Sequence, residues 1–273
     1  NKTALTVAEG GTNTDVRIYA YAPFYATDLT LEWTSSDTNV VTVQANGPEG
    51  MYQTAYAKIN AVGSGTATVT ATAPATGAKA EVAVTVTKAT TVGSFQIVGD
   101  TLVAYSGSEA NVTVPDGVRV IGKEAFKNND SIITVTLPST VEEIDYRAFY
   151  DCSNLKSINL PETLTTIEES AFQSCANLAT TGCKNVLPAR IETVGRRAFY
   201  SCKLLAGELV LPNGLSNLGE DSFYGCACLT ALTMEDEFNG LDAKGGQFNG
   251  CDGLTSVTLS SALTELPVRA FFD

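Results

Sequence analysis

The sequence contains no histidine, a single tryptophan and only two methionines in 273 residues. The missing histidine excludes every Ser-His-Asp or Cys-His catalytic arrangement and every zinc site that uses an imidazole. Basic residues are also scarce, because 17 lysines and arginines stand against 30 aspartates and glutamates, for a net charge of −13. Nucleic acids and anionic membranes attract clustered basic side chains, so neither is expected as the main partner. The composition therefore favours a protein that is not an enzyme.

Long apolar runs are missing as well, and no stretch of about 18 apolar residues suggests a transmembrane helix. The chain begins at Asn1 without an initiator methionine. It also lacks the charged and apolar regions of a signal peptide. We therefore interpret the chain as a mature form from which a targeting segment has been removed.

Cysteine is absent from residues 1–88, and all seven cysteines follow residue 150. Residues 88–94 (KATTVGS) are mostly small and are typical of a linker. The sequence therefore predicts two domains, residues 1–88 and residues 95–273.

The first domain contains segments with strict two-residue alternation. Residues 66–72 and 80–86 alternate in this way, with turn residues at 74–77 between them, and segments 16–21, 29–34 and 40–43 behave likewise. Several short strands in a small domain predict a β-sandwich.

Three of its segments, 31–37 (LEWTSSD), 40–43 (VVTV) and 60–71 (NAVGSGTATVTA), resemble the bacterial immunoglobulin-like group 2 family. The resemblance implies an immunoglobulin-like sandwich, of a kind commonly used as a spacer or adhesive module in bacterial surface proteins. We interpret Trp33 as a core side chain of this sandwich rather than a binding aromatic.

The second domain repeats a pattern of about 23 residues. Phenylalanine recurs at positions 126, 149, 172, 199, 223, 248 and 271. Each full unit also carries an L-x-x-I-x-L segment, such as Leu155, Ile158 and Leu160, which is typical of one short strand with its apolar side chains facing inward. Since no unit can bury its own apolar face, the pattern predicts a solenoid with a parallel sheet along one side and phenylalanine rings between the coils.

This pattern resembles the BspA-type leucine-rich repeat family of bacterial surface proteins over residues 95–273. Departures include four extra residues before Pro188 and Gln247 in place of the alanine that usually precedes phenylalanine. The fold expected for the whole chain is mainly β: an immunoglobulin-like β-sandwich followed by a leucine-rich-repeat solenoid.

The repeat resemblance implies a secreted or cell-surface protein, with a lipid anchor on the removed N-terminal segment as one mode of attachment. It implies recognition of an extracellular protein or glycan of a host or neighbouring cell, and neither nucleic acid binding nor membrane insertion. The alternatives are a purely structural spacer and a carbohydrate-capturing surface protein. The last would use Tyr146, Tyr150, Tyr200 and Tyr224, three of which directly follow a repeat phenylalanine and should stack in a row.

The candidate binding residues are the solvent-facing side chains of the predicted parallel sheet. They are small hydroxyls with one amide and one lysine, and they include no aromatic anchor of the kind that dominates tight protein interfaces. They are Thr134, Thr136, Lys156, Ser157, Asn159, Thr230, Thr233, Thr255, Ser256 and Thr258.

Cysteine and carboxylate residues are interpreted as structural. Five cysteines lie three residues after a repeat phenylalanine and predict a ladder of buried free thiols, with disulfides, a metal or a nucleophile as alternatives. Cys183 and Cys228 lie off this ladder and are candidates for a disulfide or for surface thiols. The ladder consists of Cys152, Cys175, Cys202, Cys226 and Cys251.

Adjacent carboxylates at 142–143, 168–169 and 220–221 raise the alternative of a glycosidase. However, the coils place opposite charges at matching positions, so we interpret them as charge alternation along a solvated flank. No cofactor is predicted, and the acidic stretch 235–242 lacks calcium-loop spacing, which leaves only a weak surface cation site open. The predicted pairs are Glu124 with Arg147, Glu169 with Arg196, and Arg197 with Asp221.

The last residues stop directly after a repeat phenylalanine, where another turn and strand should follow. A solenoid end without a polar cap exposes apolar side chains and a strand edge. We therefore expect either that the native protein continues beyond Asp273 or that a partner chain covers Leu259, Leu263, Leu266 and Phe271.

Overall fold

The computed structural model of the chain describes residues 4–8, 16–20, 31–49 and 54–271. The chain divides into two compact units between Thr90 and Thr91. Regular structure within the described ranges consists of β-strands without a helix, so these ranges contain no helix that could cross a membrane.

The first unit contains two sheets that share one hydrophobic core. One sheet has the strand order β1-β7-β6-β3 and the other the order β2-β5-β4. The strands are β1 (Ala4–Ala8), β2 (Val16–Ala20), β3 (Glu32–Ser35), β4 (Val41–Glu49), β5 (Thr54–Ala61), β6 (Gly65–Ala73) and β7 (Ala78–Thr87).

Two-residue alternation accounts for the way these sheets pack. In β6, Ala67, Val69 and Ala71 are buried and the threonines between them are more exposed, so one face of the strand enters the core. Val41 and Ile59 of the other sheet belong to the same core cluster. Trp33 is half-buried against this cluster.

All five predicted strands of this unit are present, as β2, β3, β4, β6 and β7. Residues 21, 29 and 30 of the predicted segments lie outside the described residues. Strands β1 and β5 were not predicted from the pattern.

The second unit is built from short strands of two to six residues. Its strands are β8 (Thr90–Val92), β9 (Phe95–Val98), β10 (Thr101–Tyr105), β11 (Asn111–Thr113), β12 (Val120–Ile121), β13 (Thr134–Thr136), β14 (Glu143–Ile144), β15 (Ser157–Asn159), β16 (Thr166–Ile167), β17 (Thr193–Val194), β18 (Gly207–Leu211), β19 (Asn217–Leu218), β20 (Leu229–Met234) and β21 (Ser256–Thr258).

The repeating coils form two rows of strands. The predicted L-x-x-I-x-L strands form parallel sheets in the orders β11-β13-β15 and β18-β20-β21, in which Val135 lies beside Ile158 and Leu232 beside Val257. A second row, which the pattern did not predict, is an eight-stranded sheet in the order β19-β17-β16-β14-β12-β10-β9-β8. Its repeat strands have only two residues each, too few to show alternation in the sequence.

The predicted sheet is interrupted in its middle. The four extra residues before Pro188 fall between β15 and β18, where a single bridge from Ser157 to Thr180 replaces a strand. Val186 in this segment has a φ of 65°, which a β-branched residue adopts only under strain. The exposed face therefore consists of two three-stranded sheets instead of one continuous surface.

Stacked phenylalanine rings hold the coils together. From Phe126 to Phe223, neighbouring ring centroids are 4.8–5.2 Å apart, close to the spacing of adjacent strands, and all of these rings are buried. The stack begins earlier than predicted, since Tyr105 lies 5.0 Å from Phe126 and 5.0 Å from Phe95. It is the shared core of the second unit.

The backbone repeats the same coil-to-coil contact. From Phe126 to Phe248, the N–H of each repeat phenylalanine donates to the carbonyl of the residue that precedes the phenylalanine of the next coil, at 2.7–2.9 Å. Because a main-chain atom accepts this bond, it survives where Ser222 and Gln247 replace the usual alanine. Ring spacing still widens to 6.4 Å between Phe223 and Phe248, next to the buried Gln247 side chain.

The last coil departs from the predicted inward-facing pattern. Val257 and Leu259 are 43% and 46% exposed, because no described coil packs on their far side. Leu266 and Phe271 are also exposed, whereas Leu263 is half-buried.

A central ring of the stack should contribute more to stability than the last one. Replacing Phe172, which is fully buried between two rings, by alanine should lower the free energy of unfolding by about 3–5 kcal/mol. Urea unfolding followed by circular dichroism measures the loss. Phe271→Ala is the matched control, because Phe271 is 38% exposed and should lose much less. Equal losses in the two variants would contradict the stack as the main stabilising element.

Candidate functional site

The ten predicted binding residues fall into two groups, one on each side of the interruption. Those at 134–159 lie on or beside β13 and β15, and those at 230–258 lie on or beside β20 and β21. All ten are exposed or half-buried, so the structure places them at the surface. It does not bring the two groups together into one patch.

Half of these residues make hydrogen bonds that join neighbouring coils. The Asn159 amide donates to the carbonyl of Leu137 at 2.9 Å and accepts from its N–H at 2.7 Å. Thr134 donates to Asn111 at 2.6 Å, and Thr233 donates to Glu208 at 2.9 Å. The Thr230 and Thr255 hydroxyls donate to main-chain carbonyls of the preceding coil.

The other half have no such role. Their side chains make no hydrogen bond to any residue that the structure describes, so they are the ones available to a ligand. They are Thr136, Lys156, Ser157, Ser256 and Thr258.

Ion pairs between coils lie on a different flank, beside the repeat phenylalanines. Arg196 contacts Glu169 at 2.9 Å and Arg197 contacts Asp221 at 3.2 Å, which confirms two of the three predicted pairs. The hydrogen bond and charge of Glu169 raise the pKa of the Arg196 guanidinium. These carboxylates are engaged with arginines, which agrees with the structural interpretation of the acidic pairs.

The third predicted pair, Glu124 with Arg147, is wrong. Glu124 pairs instead with Lys127 of its own coil at 2.9 Å. The guanidinium of Arg147 lies over the ring of Tyr146 at 4.8 Å and over the ring of Tyr150 at 5.0 Å. A local i, i+3 partner and two aromatic faces thus replace the contact between coils.

The predicted row of stacked tyrosines is present only in part. Tyr200 and Tyr224 stack at 4.6 Å with an angle of 6° between their rings. Tyr150 lies two coils before Tyr200, with Gln173 at the same repeat position between them, and its ring contacts Arg147 instead.

The five ladder cysteines are buried and free, as predicted. Each thiol lies 3.0–3.2 Å from the carbonyl oxygen of the phenylalanine in the preceding coil, to which it donates. Asn129 takes the same repeat position in the first full coil and donates to the carbonyl of Gly107. A small apolar side chain with a weak donor fits this position, since it fills the core and satisfies a carbonyl.

Burial also changes the acidity of four of these thiols. Desolvation raises the pKa of Cys251 to about 12 and raises the pKa of Cys175, Cys202 and Cys226 as well. The two cysteines off the ladder, Cys183 and Cys228, are half-buried and free. Cys175, Cys202, Cys226 and Cys251 are therefore thiols at neutral pH, and thiols are weak nucleophiles and poor metal ligands.

The raised pKa values predict that the protein loses stability in alkaline solution. The unfolded chain releases these protons near pH 8.5, whereas the folded chain retains the Cys251 proton until the pH approaches about 12 and retains those of Cys175, Cys202 and Cys226 beyond the pH at which the unfolded chain loses them. Their stabilising effect is therefore complete below about pH 8.5 and falls by about 1.4 kcal/mol per pH unit for each thiol above it. Urea unfolding under reducing conditions at several alkaline pH values measures this slope. In the Cys202→Ala variant the loss of stability per pH unit should be smaller by the contribution of one thiol, about 1.4 kcal/mol. An unchanged slope would contradict the interpretation that the buried thiols cause the loss.

Comparison with known proteins agrees with the coil geometry. The family model described as the BspA type leucine-rich repeat region matches residues 96–204 and 181–273. No curated protein matches the chain.

Two solved structures of leucine-rich repeat proteins are similar to parts of the chain. The leucine-rich repeat protein of Treponema pallidum is 30% identical, with a TM-score of 0.52, over 63% of this chain and 82% of that one. A leucine-rich cell surface protein of Faecalibacterium prausnitzii is 25% identical, with a TM-score of 0.43, over 67% of this chain and 46% of that one. Since the family model spans more than half of the sequence, the chain belongs to the BspA-type leucine-rich repeat family.

Proposed function

We propose that this chain is a recognition protein without catalytic activity that works outside the cell or on its surface. The repeat unit binds an extracellular protein or glycan, and the first unit, an immunoglobulin-like module, serves as its spacer. The observation that carries this proposal is the set of five exposed or half-buried residues on or beside the two three-stranded sheets whose side chains make no hydrogen bond within the described part of the chain. A regular exposed surface on a stacked scaffold is the feature that repeat proteins use for binding.

The chemistry of the remaining polar groups supports the same conclusion. The ladder thiols donate to main-chain carbonyls, and Glu169 and Asp221 are engaged with arginines of the flank. Thiols and carboxylates, the side chains that serve as nucleophiles and bases in enzymes, are thus used here to join one coil to the next. The surface location is supported by the resemblance of both units to families of bacterial surface proteins.

The structure changes the choice of residues for testing the sheet face. Removing Asn159, Thr134 or Thr233 would also break contacts between coils, so lost binding would be confounded with lost stability. Thr136 and Ser256 are exposed and lie on different three-stranded sheets. Substituting these two residues therefore changes the surface without removing a hydrogen bond between coils.

We expect the double variant Thr136→Arg and Ser256→Arg to reduce binding to immobilised matrix proteins and mucin at least about tenfold, because two large charged groups would block close contact with a partner. Binding is measured by surface plasmon resonance with the full chain, and the melting temperature should be unchanged. The control variant Asn217→Arg adds the same kind of charge to an exposed position of the eight-stranded sheet and should bind normally.

The spacer alternative gives a different result. If the repeat unit is only a rod, then replacing residues 91–273 by an unrelated rod of equal length should preserve adhesion of cells that display the chain. Under the proposed function, the same replacement abolishes adhesion. Retained adhesion would therefore overturn the proposal.

A further inference from the structure

One arginine on the flank of ion pairs has no acidic partner. Arg147 makes no ion pair within the described ranges, although carboxylates occupy the coils on either side. Glu124, one coil before it, is engaged by Lys127 at 2.9 Å, and Glu169, one coil after it, is engaged by Arg196 at 2.9 Å. The neighbouring negative charges are thus already used by other cations.

The guanidinium is nevertheless held in place. It lies over the rings of both Tyr146 and Tyr150, at 4.8 and 5.0 Å from their centroids, and Lys123 lies over the Tyr146 ring at 5.6 Å. Its Nε is buried and has no hydrogen-bond partner in the described part of the chain, while its terminal nitrogens are not enclosed in this way. An arginine fixed by aromatic rings, with unpaired donors at its outer end, has little conformational entropy to lose on binding an anion.

We propose that Arg147, with Tyr146 and Tyr150, binds a single carboxylate group presented by an aspartate or glutamate of a protein partner. This site rests on the proposed recognition function and deepens it. It places a specific contact for the partner on the flank of ion pairs beside the repeat phenylalanines, separate from the sheet face. The planar guanidinium matches a carboxylate with two parallel hydrogen bonds, and Lys123 adds a second positive charge nearby. Tyrosine and arginine are also the side chains that dominate protein interfaces.

The occupied ring faces favour a protein over a glycan. Sugars stack on an open aromatic face, but Tyr146 contacts two cations, and Tyr200 and Tyr224 each cover one face of the other. The net charge of −13 also disfavours a polyanion. A single carboxylate is less affected, since charges beyond about 8 Å are screened at physiological ionic strength.

The Nε–H group of Arg147 provides a direct reporter in nitrogen-15 NMR of the full chain. The probe is a blocked pentapeptide with one glutamate between glycines, and its matched control has glutamine in place of glutamate. We expect saturable shifts of the Arg147 signal at millimolar glutamate peptide and none with the glutamine peptide. Peptide binding to the variants is followed through the backbone amide signals of Tyr146 and Tyr150. Arg147→Gln should weaken it about tenfold or more, whereas Arg190→Gln, at an exposed arginine elsewhere, should leave it unchanged.

A third probe, methyl glucuronide, separates the two sources of a carboxylate. A response to the glucuronide without a response to the peptide would overturn the assignment to a protein partner. No response to either probe would overturn the site itself. That second result would leave the sheet-face adhesion experiment unaffected, so failure of this site and failure of the proposed function are distinguishable.

Discussion

The second unit depends on contact between coils, since no coil has a core of its own. Ring stacking at 4.8–5.2 Å matches the separation that parallel strands require, so the side chains and the main chain favour the same rise per coil. The phenylalanine N–H bond to the next coil adds a polar contact at the same level. Every other repeating feature, including the thiols and the flank charges, takes its position from this stacking.

Strong periodicity made the main features predictable from sequence. The spacing of phenylalanine, the inward L-x-x-I-x-L triplets and the thiol position follow from the fact that equivalent residues stack. Tyr105 was missed as a member of the stack, although Ala104-Tyr105 lies 21 residues before Ala125-Phe126 and is a weaker form of the same signal. The two-residue strands were missed because alternation cannot be seen in so short a segment.

Predictions about polar side chains were less successful, for a physical reason. A long side chain can contact any of several partners within its reach, and sequence position alone does not show which of them it contacts. Glu124 pairs with Lys127 and not with Arg147. Asn159, predicted to contact a ligand, instead forms a hydrogen bond to the main chain of the preceding coil. In the first unit, β1 and β5 were overlooked, although β1 pairs with β7 along its whole length.

Two irregular steps in the repeat have unequal effects on the stack. The four extra residues before Pro188 leave the rings of Phe172 and Phe199 at 5.1 Å, because these residues lie on the sheet side of the coil. The step from Phe223 to Phe248, where Gln247 enters the core, opens to 6.4 Å. The segment around Gly182–Asn185 is therefore a permissive position, at which a foreign loop or epitope could be grafted while the solenoid keeps its rise.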